Sequence, residues 1–194
     1  TGLSGGGTSG DVTLNSDLLA KQGGTNFSNS LLVGTSGTGT LSSADRNTGV
    51  GCQVFAALTT GDDNTAIGRA SLNGNTTGGQ NTAVGSSSLN VNTTGDCNTA
   101  VGKGSLDANT TGTRNIAVGG EALGLNTTAS FNNALGYKAL CSNTTGASNI
   151  SIGTCSMRIN TTGASNVAVG DKALCANTTA SFNTAVGFES LKAN

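Results

Sequence analysis

The chain has 194 residues, a net charge of −1, 35% hydrophobic and only 3% aromatic residues, and no Pro, Trp or His. These values exclude histidine-based acid–base or metal chemistry, leave no basic face for nucleic acid and offer too lean a core for an ordinary globular domain. No apolar run approaches the length that spans a bilayer, so no membrane insertion is expected, and no signal peptide is seen at the start.

In chain order, residues 1–29 read as a Gly-rich connector, with a short strand at "DVTL" and one helical turn at "SDLLAKQ". Residues 30–194 read as one repeat array. Its opening Asn falls at Asn47, Asn64, Asn81, Asn98, Asn115, Asn132, Asn149, Asn166 and Asn183, every gap being 17, and an imperfect copy, "SLLVG" from Ser30, keeps the phase. The consensus is N-T-A-V-G-x-x-(A/S)-L-x-x-N-T-T-G-x-x. Place four is always aliphatic, place five always Gly, and place nine Leu except for Phe55 and Met157.

Seventeen residues are too few for a two-helix repeat, and Gly, Asn and Ser at fixed offsets are turn chemistry. The period therefore predicts an all-β fold, a parallel β-solenoid (β-roll) of 17-residue coils starting near 30, 47, 64, 81, 98, 115, 132, 149, 166 and 183. Each coil is expected to hold two short strands, "NTAVG" and the segment around "(A/S)L", with "NTTG" as the return turn. Coils stacked about 4.8 Å apart give a rod of about 40 Å.

Strand neighbours point to opposite faces. The expected core is therefore the large residue of place four (Val84, Val101, Val118) with the Leu of place nine (Leu89, Leu106, Leu123). The small Ala of place three (Ala83, Ala100, Ala117, Ala168) is expected on the opposite face, where sister chains approach closely. Stacked Asn residues are expected to pass amide hydrogen bonds from coil to coil. Burial within one thin column is marginal against the entropy of ordering it, which predicts association of several chains, most simply three.

"NTAVGSSSL" from Asn81 and "NVAVGDKAL" from Asn166 resemble the head repeat of trimeric autotransporter adhesins, the YadA-type head. The resemblance implies a left-handed parallel β-roll and a homotrimer; it departs in length, since "LxxNTTG" adds three residues to the family's usual repeat. The opening "TGLSGGGTSGDVTLN" resembles a Gly-rich segment of bacteriophage tail fibres and related fibrous virion proteins, where it joins trimeric modules. Five Cys, odd in number and out of register for pairing within the chain, fit assembly in a reducing cytoplasm. Together these features give the expectation of a structural section of a viral tail fibre that contributes to host attachment on the virion. The alternatives are a bacterial surface adhesin head and an ice-binding solenoid. The chain starts mid-phrase and ends on the Asn of the next "NTT", and so reads as part of a longer protein.

"NTT" matches a glycosylation sequon but sits in phase, as a ladder turn would. The paired Thr suggest a flat Thr array. Phe131, Tyr137, Phe182 and Phe188 are candidates for contact with a host receptor or glycan, or for contact between chains. "GTSGTGT" and "GKGS" lack the spacing of a phosphate loop. The Asp residues share no column that could hold calcium, and neither catalytic residues nor a cofactor are expected.

Overall fold

In the computed structural model, residues 30–34 and 43–192 are described; the connector expected over 1–29 lies outside them. Among the described residues there is no helix. Ten three-residue strands follow one another: β1 (Leu31–Val33), β2 (Thr48–Val50), β3 (Thr65–Ile67), β4 (Thr82–Val84), β5 (Thr99–Val101), β6 (Ile116–Val118), β7 (Asn133–Leu135), β8 (Ile150–Ile152), β9 (Val167–Val169) and β10 (Thr184–Val186). They form one sheet in sequence order, every neighbour parallel. Like pairs with like: Thr82 lies beside Thr99, Ala83 beside Ala100 and Val84 beside Val101. The chain is a parallel β-solenoid with one coil per seventeen residues.

Among the described residues each coil carries one strand, and the expected second strand is absent. The segment around "(A/S)L" is a run of turns in which places seven and nine take left-handed backbone, for example Glu121 at φ 56° and Leu123 at φ 50°. A bulky residue there is strained. The return is that Leu swings across the coil while its backbone still bonds to the next one: Leu89 N–H donates to the Ser105 carbonyl at 3.0 Å. The strand itself ends at the Gly of place five. Gly102 has φ 132°, and a Cβ on it would lie 2.6 Å from the Gly119 carbonyl carbon. Only Gly fits this backbone and this spacing.

The inside–outside assignment of the strand is the reverse of the expected one. Ala83, Ala100, Ala117 and Ala168 are all 0% exposed and belong to the core cluster with Leu89, Leu106 and Leu123. Val84 and Val118 are half-buried on the outer face, and Val101 is 36% exposed there. The reason is volume. A 17-residue coil is narrow, and the Leu of place nine plus the small residue of place eight nearly fill it. What remains opposite them suits Ala. The Leu assignment holds, whereas the Val and Ala assignments exchange faces.

Two buried Asn columns close the far side of each coil. At place one, Asn64 Nδ2 donates to Asn47 Oδ1 (3.0 Å) and to the Gly78 carbonyl (2.9 Å), while Asn64 N–H also donates to Asn47 Oδ1 (2.9 Å). At place twelve, Asn92 Nδ2 donates to Asn75 Oδ1 (2.8 Å) and to the Gly95 carbonyl (2.9 Å). The place-fifteen carbonyl thus receives both columns: Gly95 O also accepts from Asn81 Nδ2 at 2.8 Å. Buried amides are costly unless paired, and here the stacking supplies the partners. Ser151, which replaces Ala at place three, is satisfied in the same spirit: its hydroxyl donates to the Ser156 carbonyl at 2.9 Å and pairs with the Ser156 hydroxyl.

Candidate functional site

With Ala inward, places two and four form the outer face of the sheet. Place four presents aliphatic residues in all ten strands, from Val33 to Val186, and place two mixes Thr with Leu31, Ile116, Asn133, Ile150 and Val167. No charged residue occurs in either row. The row is half-buried to exposed along its whole length, with Ile67, Leu135 and Ile152 among its open members. A parallel sheet is ordinarily covered on both faces; here the coil covers the inner face and leaves the outer one apolar and open.

The four aromatics rim that face. Phe131 and Tyr137 stand just before and just after β7, and Phe182 and Phe188 just before and after β10. All are exposed, Phe182 at 83%. The Arg114 guanidinium, one coil earlier, sits 5.6 Å from the Phe131 ring centroid. The Tyr137 ring lies over Gly120, where a Cβ would come within 3.4 Å of it, and the Lys138 ammonium is 5.3 Å from its centroid. The sequence singled out these residues, and the structure brings each pair to the edges of one apolar strand face.

The "NTT" turn resolves into separate roles. Its Asn is buried and its Nδ2 is engaged, as Asn109 Nδ2 is with Asn92 Oδ1 of the preceding coil and the Gly112 carbonyl of its own, so the sequon nitrogen is unavailable in the folded chain. The first Thr donates its hydroxyl to the next coil, as Thr76 Oγ1 does to the Thr93 carbonyl at 2.9 Å. The second Thr is exposed in all seven copies, from Thr77 to Thr179.

Beside this Thr column runs a polar groove of about 490 Å³, lined among others by Thr77, Asp62, Asp63, Asp96 and Arg114. Its carboxylates are already used. Asp62 Oδ1 accepts from Asp45 N–H and Asp96 Oδ1 from Gly79 N–H, both at 2.7 Å. Arg46 donates to both oxygens of Asp63, at 2.6 and 3.0 Å, and holds that carboxyl below the usual range. Among the described residues, no group of three or more His, Cys, Asp or Glu is placed to hold a metal ion. All five thiols are free. No family model, curated protein or solved structure matches the chain.

Proposed function

We propose that the chain is a structural section of a fibrous appendage, a viral tail fibre, which assembles as a homotrimer and contributes to host attachment. The observation that carries this reading is the outer sheet face: aliphatic at place four in every strand, free of charge and uncovered along ten parallel strands. Such a face needs a cover, and a copy of the same chain has the matching repeat along the rod. Three copies around one axis is what the resemblance to YadA-type heads implies. The face that meets the axis is the row of Val84, Val101 and Val118, in place of the Ala row. The aromatics at the rims then serve contact between chains, since each pair flanks the covered face.

Antibodies against the chain should decorate a filament projecting from the particle in electron micrographs. Label confined to a bacterial envelope would favour the adhesin head. The exposed second Thr of "NTT" supports a further reading, an ice-binding face, because nothing in the coil's own bonding explains its constancy. Thermal hysteresis in a solution of the purified chain tests that reading directly.

A further inference from the structure

Places seven and ten vary freely along the rod, yet each carries Gly once, in adjacent coils: Gly104 at place seven and Gly124 at place ten. The missing side chains open a groove of about 460 Å³. It runs along the rod between these two columns, from Ser87 to Arg158, touching five successive coils and thus extending about 19 Å. It borders the outer sheet face, with Lys103 in the place-six column that also carries Tyr137 and Phe188.

The wall chemistry is mixed. Lys103, Lys138 and Arg158 meet Asp107, Glu121 and the exposed Leu125. Lys138 is paired with Glu121 at 3.4 Å, but neither Lys103 nor Arg158 enters any ion pair among the described residues. Both are exposed and lie three coils apart, about 14 Å along the axis. Two unpaired cations spaced along the groove suit an extended polyanion. The Glu121 carboxylate between them decides which kind: it accepts hydrogen bonds from hydroxyls, which an acidic sugar chain carries beside its anionic groups and a DNA phosphodiester backbone does not. Leu125 offers an apolar contact for the C–H face of a sugar ring.

We propose that this groove binds a linear acidic polysaccharide, with Lys103 and Arg158 holding its anionic groups and Glu121 accepting from its hydroxyls. The proposal deepens the attachment reading by naming the class of ligand. Its measurement uses the purified chain, so it succeeds or fails separately from where the chain resides.

The test is titration calorimetry of the whole chain with hexagalacturonate, a heparin-derived hexasaccharide, neutral maltohexaose and a single-stranded dodecanucleotide. The expected result is binding of one or both acidic sugars, weakened by salt, with no binding of maltohexaose. The double variant Lys103→Gln/Arg158→Gln should lose tenfold or more in affinity with an unchanged circular dichroism spectrum. The hexagalacturonate and heparin arms distinguish carboxylated from sulfated ligands. Failure of both acidic sugars to bind, equal binding of maltohexaose, tighter binding of the oligonucleotide, or unchanged affinity in the double variant overturns the proposal.

Discussion

The first coils and the later ones solve the same packing problem with different residues. From Asn64 onward a layer is filled by Ala at place three (Ser151 in one coil), Ser or Ala at place eight, Leu or Met at place nine and Asn at place twelve. Near the start, Leu32 occupies place three, and the next coil answers with Gly49, Val54, Phe55 and Leu58, of which Val54, Phe55 and Leu58 are fully buried. A Cβ on Gly49 would lie 2.5 Å from Leu32 Cδ2 and 2.9 Å from Val54 Cγ1. The larger neighbours have taken the space that Ala fills elsewhere. Leu58 also stands where later coils carry the ladder Asn. The comparison teaches that the interior conserves volume per layer, and that the ladder Asn at this place needs a like neighbour to be worth burying.

The largest loss of stability is expected inside the ladder. Asn98 donates to Asn81 Oδ1 and the Gly112 carbonyl and accepts from the N–H and Nδ2 of Asn115. Asn98→Ala orphans these buried partners, at about 1–3 kcal/mol each. Denaturant titration should show a loss of at least about 3 kcal/mol. Leu106→Ala, which removes the one large buried side chain of its layer, should cost about 2–5 kcal/mol.

Volume conservation is tested by a pair of substitutions. Gly49→Ala should cost about 1–3 kcal/mol by overpacking, although Ala is the ordinary residue at this place in the later coils. Adding Leu32→Ala should recover part of that loss, which a double-mutant cycle reads as coupling. Strict additivity would show that the two sites do not share one space.

The smallest effect expected is at Asp107, whose carboxyl is pushed above its usual pKa by burial, against the pull of the neighbouring Asn90 amide. One of its oxygens, Oδ1, is shielded and lacks a hydrogen-bond partner among the described residues. Because the folded state holds this proton more tightly than the unfolded chain, the cost of charging it is present above the folded pKa. That cost vanishes below the unfolded value of about 3.9. Asp107→Asn should therefore raise the melting temperature slightly at pH 7, within the roughly 0.5 kcal/mol typical of surface changes, and leave it unchanged at pH 3.

Much of this architecture was legible in the sequence. The invariant spacing of Asn47 to Asn183 predicts the coil length, and in-phase Asn at two places predicts the ladders. The orientation of the strand was not legible from alternation alone, because both faces of a parallel sheet can be apolar, so Ala and Val compete for the interior on equal terms. Place two held the missing signal. It shares a face with Val at place four and carries Asn133 and several Thr, which an interior already served by Leu would not accommodate. The second strand failed for a different reason: nothing about a Leu announces left-handed backbone, and the position of Leu123 is imposed by the neighbouring coils rather than by its own preference.

Sedimentation equilibrium of the wild-type chain and of Val101→Asp/Val118→Asp, each paired with a circular dichroism melt, tests the central claim most directly. The account predicts a wild-type mass three times 18.8 kDa, and a variant that sediments as a single chain while keeping its β spectrum. A folded wild-type monomer, or a variant that keeps the full assembled mass, would contradict it.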